Sequence, residues 1–309
     1  MRWLACRARL VVRAGATAWT SPTARGRRYN GGMRIDVGQR HLSVTEHGQG
    51  LDRVILVHSS GLGSRQWRRT LEALSGSHRV IVPDLVGYGD SSVVSLGERV
   101  HFEMDLLGLE RLLDAAPEPV HLVGHSYGGF LALLAALHRP RSVRSVSVYE
   151  PVSFGVLRSE GDVEAIATLP STGTRWPTTE VEIEAWLEGF IAYWNGPGAW
   201  QALPEPMRAT FRAAAPKVVG EVLTLGEDRT PLEAYTTLAM PVLLLGSERS
   251  TLAADRVLTL LERTIPSVRR VRIAGAGHMG PITHAAAVNA EIASFLAQNP
   301  LPRRGESPA

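Results

Sequence analysis

"VHLVGHSYGGFLALLAAL", residues 120–137, decides the fold. It opens on a short apolar strand, "VHLVG", and runs on into "YGGFLALLAALHRP", which reads as a helix. Between the two, Gly124, Ser126 and Gly128 satisfy G-x-S-x-G. A reversal this tight leaves no room for side chains two residues to either side of the serine, hence the glycines. Ser126 is thereby lifted above the C-terminal edge of a sheet, at the start of a helix. The helix dipole there favours a developing negative charge, so Ser126 is a candidate nucleophile.

The flanking sequence repeats the strand–helix rhythm. "MRIDVG" and "RHLSVTEHG" form two short strands around a tight turn. "DRVILVHSS" and "HRVIVPDL" are apolar runs typical of strands buried on both faces, separated by the helical "SRQWRRTLEAL". "ERVHFEMDLLGLERLLDAA" has apolar residues at steps of three and four, the spacing of an amphipathic helix. After the serine segment comes the strand "SVRSVSVYE". The alternation resumes with "MPVLLLG", "TLAADRVLTLLERTI", "VRRVRIAG" and "AAAVNAEIASFLAQ". This order predicts an α/β fold with a mostly parallel sheet flanked by helices.

Residues 152–236 break the rhythm. They are rich in Glu, Trp, Pro and Ala and hold four of the seven tryptophans, Trp176, Trp186, Trp194 and Trp200. We expect a helical cap inserted into one domain, whose core is 33–151 plus 237–298. Its aromatic stretch "WLEGFIAYWNGPGAW" makes Trp186 and Trp194 candidate pocket residues.

Charge is unevenly placed. Eight of the 33 basic residues fall in residues 1–35, which contain no acid, so residues 36–309 carry a formal charge of −5 against +3 for the whole chain. Residues 1–32 are expected to be a disordered Arg-rich extension, and residues 299–309 a flexible tail. A basic tail on an acidic body does not make a nucleic-acid surface, which needs a basic face on a folded domain. No run of roughly 18 apolar residues predicts a membrane span, and a cytoplasmic location is expected, with a targeting role for the Arg-rich residues 1–32 as the alternative. The single cysteine, Cys6, allows no disulfide within the chain and no thiolate cluster. The sequence does not fix an oligomeric state.

Three further stretches carry a resemblance. "VHSSGLGSRQW" (57–67), "PDLVGYGDSS" (83–92) and "GAGHMGP" (275–281) are similar to the oxyanion loop, the Asp-x-x-Gly-x-Gly-x-Ser turn and the catalytic-histidine loop of α/β-hydrolase fold enzymes. The resemblance spans about residues 33–298. It implies Ser126 as nucleophile, His278 as base, and an oxyanion hole from the backbone N–H groups of Tyr127 and Ser60. Ser59 stands where the family carries glycine, and its side chain is expected to narrow the pocket. His125, His58 and His284 read as packing, loop-ordering and helix residues.

The resemblance leaves the third member of the triad open. In "LLLGSERSTLAADR" (243–256), Ser250 occupies the usual position of the aspartate. Glu150, which ends the strand after the serine's helix, is the first candidate. Certain haloalkane dehalogenases and mycotoxin lactonases resemble that layout. Glu248 and Asp255 are the alternatives. The implied function is metal-free, cofactor-free hydrolysis of a small, hydrophobic carboxylic ester or lactone through an acyl-enzyme. Cleavage of C–C bonds in ring-cleavage products, and low-turnover ligand binding on a hydrolase scaffold, are the other readings.

Overall fold

The apolar runs around Val54, Leu122, Val146 and Leu244 have no consistent polar face, so they need cover on both sides. In a computed structural model, which describes residues 33–170 and 176–301, they form the centre of one eight-stranded sheet. The expected extension at 1–32 and most of the expected tail lie outside the described residues.

Strands β1 (Met33–Val37) and β2 (Arg40–His47) make an antiparallel hairpin, and β2 pairs antiparallel with β4 (Arg79–Asp84). The remaining pairs are parallel: β3 (Arg53–Val57), β5 (Val120–His125), β6 (Val143–Tyr149), β7 (Val242–Ser247) and β8 (Val268–Ile273). The spatial order is β1-β2-β4-β3-β5-β6-β7-β8. The edge strand β8 carries Arg269, Arg270 and Arg272, each ion-paired, so the edge is charged rather than sticky.

Alternating side chains feed two cores. Val54 and Leu56 pack with Leu74 of α1 (Arg68–Leu74) on one face. Ile55 and Val57 pack on the other with α2 (Phe102–Ala115) and α3 (Tyr127–His138). Residues Tyr127 to Ala136 of α3 are all buried, as a helix apolar on every side must be.

Between β6 and β7 stand α4 (Gly155–Ser159), α5 (Val163–Ala167), α6 (Glu180–Asn195), α7 (Ala199–Ala202) and α8 (Glu205–Leu225). Thr179 and Glu182 start α6 with a reciprocal capping box. After β7 come α9 (Leu252–Thr264), α10 (Gly280–Thr283) and α11 (Ala285–Gln298). No helix among the described residues is long and apolar enough to cross a membrane.

The topology itself points to a site. β3 lies between β4 and β5, so the chain moves one way from β3 and then returns to its other side. Such a reversal leaves a crevice at the C-terminal ends of the strands. Ser60 follows β3 and Ser126 follows β5.

Candidate active site

Ser126 has φ 53° and ψ −116°, a left-handed backbone that side chains resist. The glycines around it are obligatory. A Cβ on Gly124 would stand 2.4 Å from the Gly128 carbonyl oxygen, and one on Gly128 2.2 Å from that of Val57. Ser126 N–H donates to the Tyr149 carbonyl at 2.9 Å, which pins the turn to β6. The Ser126 hydroxyl does not cap α3; it lies 3.0 Å from His278 Nε2.

Among the described residues, only one other non-glycine has a positive φ: Glu150, at 40°. Strain of this kind costs about 1–3 kcal/mol and persists where the surroundings enforce it. Glu150 stands one residue beyond β6, fully buried, and its N–H donates to the Leu245 carbonyl at 2.9 Å. Its Oε2 accepts from His278 Nδ1–H at 2.7 Å. Its Oε1 accepts from the Ser247 N–H at 2.9 Å and from the hydroxyls of Ser247 and Ser250. Burial pushes this carboxyl up, but the bonds from His278, Ser247 and Ser250 outweigh it and hold it at about 2. Glu150 is thus an anion at neutral pH.

His278 is 4% exposed, in the loop after β8. Three aromatic neighbours hold that loop. His125 Nε2–H donates to the His278 carbonyl at 2.8 Å, and the Tyr149 hydroxyl donates to the Gly277 carbonyl at 2.8 Å. The indole of Trp194 stacks on the imidazole, centroids 3.6 Å apart and planes 16° apart. Burial, with the nearby His278, lowers His125 to about 3, so it is a neutral donor. Its anchoring role was not readable from its place beside Ser126.

The two alternative acids are engaged elsewhere. Glu248 is exposed and accepts from the Gly275 N–H at 2.6 Å. Asp255 pairs with Arg270 and Arg272 across α9 and β8. Neither is brought to His278.

Tyr127 begins α3, where backbone N–H groups have no partner within the helix. Ser60 borders the same cavity as Ser126. Ser59 does not narrow that cavity: its N–H and hydroxyl both reach Gln66 Oε1, at 2.9 and 2.8 Å, so the extra side chain braces the loop. His58 braces it too. Its Nδ1–H donates to the Ser59 carbonyl and its Nε2 accepts from Leu85 N–H.

The cavity above Ser126 measures about 260 Å³ and is bordered mainly by apolar groups, including Val152, Phe154, Phe190 and Trp194. Trp186 is not on its wall. Residues 186, 190 and 194 share one stripe of α6, but Trp186 stacks behind Phe190, centroids 5.3 Å apart, one layer from the cavity. Among the described residues, Arg158 is the charged side chain on the wall. It donates to the carbonyls of Leu225 and Asp228 at 2.9 and 3.3 Å. Among the described residues, no three His, Cys, Asp or Glu side chains are grouped to hold a metal ion.

A hydroxyl, an imidazole and a buried carboxylate joined in series can move a proton from Ser126 and steady the resulting cation. The likeness to known proteins agrees with this arrangement. Residues 54–291 match the model of the alpha/beta hydrolase family. The chain is 27% identical over 257 residues to a pimeloyl-[acyl-carrier protein] methyl ester esterase of Aliivibrio fischeri, covering 82% of this chain and 96% of that one. It is 38% identical over 112 residues to a 2-hydroxy-6-oxononadienedioate/2-hydroxy-6-oxononatrienedioate hydrolase of Paraburkholderia xenovorans, 34% of this chain and 38% of that one. The fold is shared with a thermophilic esterase from Thermogutta terrifontis (TM-score 0.64, 23% identity, 87% and 98% coverage). The chain belongs to the alpha/beta hydrolase family.

Proposed function

We propose that this chain is a serine hydrolase that cleaves a small, mainly apolar carboxylic ester or lactone through an acyl-enzyme. The observation that carries this reading is the hydrogen-bonded series Ser126–His278–Glu150 at the mouth of an apolar cavity. In the proposed reaction, Ser126 Oγ attacks the carbonyl carbon while His278 Nε2 takes its proton. The oxyanion faces the N–H groups of Tyr127 and Ser60. Collapse expels the alcohol, which leaves with the proton from His278. Water then attacks the acyl group, giving its proton to Nε2; the acid departs and Ser126 recovers its hydrogen. Glu150 keeps Nδ1 protonated and offsets the imidazolium charge.

The inserted helices α4–α8 act as a cap in this reading, since Phe190 and Trp194 supply cavity wall. A volume of about 260 Å³ is below the roughly 300–1,000 Å³ usual for drug-sized ligands, which favours a small acyl group. The similarity to a methyl ester esterase along 96% of its length supports an ester with a small alcohol. A second reading, C–C bond hydrolysis, draws support from Arg158, a guanidinium on the cavity wall suited to a substrate carboxylate.

The test is a panel of p-nitrophenyl acetate and butyrate, short methyl esters, lactones and a vinylogous diketone acid, alongside labelling of Ser126 by a fluorophosphonate. Ester turnover with labelling supports the first reading. Turnover of the diketone acid alone supports the second. No turnover and no labelling would contradict both.

A further inference from the structure

Lys217 is the only lysine in the chain, and it is 1% exposed. It projects from α8 into the core rather than into water. Its Nζ donates to Asp105 Oδ2 on α2 and lies 3.4 Å from Glu221 Oε1, one turn along α8. It also stands 5.3 Å from the centre of the Tyr127 ring. Asp105 and Glu221 are themselves fully buried.

From this centre two chains of hydrogen bonds run to the two sides of the proposed oxyanion hole. On one side, the Tyr127 hydroxyl donates to Asp105 Oδ2 at 2.8 Å, and Asp105 Oδ1 accepts from Val86 N–H at 3.1 Å. Tyr127 is therefore held at both its backbone, in the turn after β5, and its far end. On the other side, the Tyr88 hydroxyl donates to Glu221 Oε2 at 2.9 Å and accepts from Gly61 N–H at 2.9 Å. That bond fixes the peptide plane following Ser60. α8 presses on this loop and on the one after β4: a Cβ on Gly61 would stand 2.3 Å from the Phe211 ring, and one on Gly87 2.8 Å from Lys217 Cβ.

We propose that Lys217 is a positioning residue that couples the inserted helices to the oxyanion hole, anchoring Tyr127 through Asp105 and the Ser60–Gly61 loop through Glu221 and Tyr88. The proposal rests on the reading of Ser126 as nucleophile. Its physical basis is cost. A buried cation with two buried carboxyls is expensive, and apolar groups of the same volume often stabilise a protein as well or better. Oxyanion donors, in contrast, work only if they are aimed before the reaction begins. A cluster that ends on the Tyr127 side chain and on the Gly61 N–H braces the two segments that carry those donors.

Protonation of the cluster adds a second readout. Glu221 faces Lys217, Asp105, Tyr88 and the Ser60 hydroxyl. Burial pushes it up to about 7; Lys217 opposes this and Asp105 adds to it. Below that value the Glu221 carboxyl beside Lys217 is neutral, and above it is charged.

The experiment compares wild type with Tyr88→Phe, Lys217→Met and Glu221→Gln on p-nitrophenyl butyrate. Rates are expressed per serine titrated to completion with a fluorophosphonate, which removes any loss of folded protein. Tyr88→Phe and Lys217→Met are expected to lower kcat about 10- to 100-fold with KM within about threefold, below the 10²–10³ seen when an oxyanion donor itself is removed. Glu221→Gln is expected to remove an inflection near neutral pH from the kcat profile. Variants with wild-type kcat per active serine, or with losses confined to KM, would overturn the proposal. A wild type with neither burst nor labelling would remove the hydrolase reading and this proposal together; an active wild type with unaffected variants would remove this proposal alone.

Discussion

Ser250 donates its hydroxyl to Oε1 of Glu150, although the two residues are 100 positions apart. The position where the family's aspartate is expected is therefore not vacant. It holds a donor for a carboxylate that arrives from the neighbouring strand. Ser247 adds two more bonds to the same oxygen, leaving the other oxygen to His278.

Replacing Glu150 by Gln keeps the volume and removes the charge. The amide oxygen is claimed by the donors of Ser247 and Ser250, which turns its NH2 toward His278 Nδ1 and favours the wrong tautomer, and a neutral group does not offset the imidazolium. The expected loss in kcat is about 10²–10⁴-fold, measured on p-nitrophenyl butyrate, with circular dichroism showing an unchanged fold. A near-normal rate would remove Glu150 from the reaction.

The carboxylate can be moved back. Glu150→Ser alone is expected to be nearly inactive, and Glu150→Ser combined with Ser250→Asp to regain at least about tenfold, because the imidazole again has a charged acceptor. Ser250→Asp on its own puts two carboxyls in one buried site, where one must stay protonated. Its activity is expected to fall. Steady-state kinetics of the three variants checks the set.

Trp194 and Trp186 separate by one layer. Trp194→Ala strips the stacked cover from His278 and opens the cavity wall. It is expected to raise KM for the butyrate more than for the acetate and to lower kcat. Trp186→Ala is expected to leave both constants within about threefold while lowering the melting temperature, since large aromatic deletions cost roughly 3–5 kcal/mol in a core and less where half-exposed.

Stability should carry the signature of Glu150. Its carboxyl is held at about 2 when folded, against an ordinary 4.5. The folded state thus binds fewer protons than the unfolded chain between those values. Its contribution, about 3 kcal/mol, is complete above pH 4.5 and is lost as pH falls toward 2. Urea unfolding at pH 6, 4 and 3 is expected to show a smaller fall in stability for Glu150→Gln than for wild type.

Much of the fold was legible because the signals were local. G-x-S-x-G between a strand and a helix needs no distant partner to be read, and buried parallel strands announce themselves as apolar runs. The family resemblance pointed to Ser126 and His278, and the place of Glu150 at the end of the strand after the serine's helix put it first among three candidate acids, with Glu248 and Asp255 left open. What sequence could not resolve was packing between distant elements. Residues 186, 190 and 194 form one helical stripe, and only the neighbouring helices decide which of them meets the cavity. Ser59 was readable as a departure from glycine, but not the Gln66 that receives its hydroxyl. The burial of Lys217 was not readable, because two of its partners, Asp105 and Tyr127, come from other helices.

The most direct measurement is the first turnover. Wild type mixed with p-nitrophenyl acetate should release a burst of nitrophenolate equal to the enzyme concentration, and rapid acid quench should find one acetyl group on the peptide containing Ser126. Ser126→Ala should give neither. Undiminished turnover by Ser126→Ala, or an acetyl group on another residue, would contradict an acyl-enzyme at Ser126.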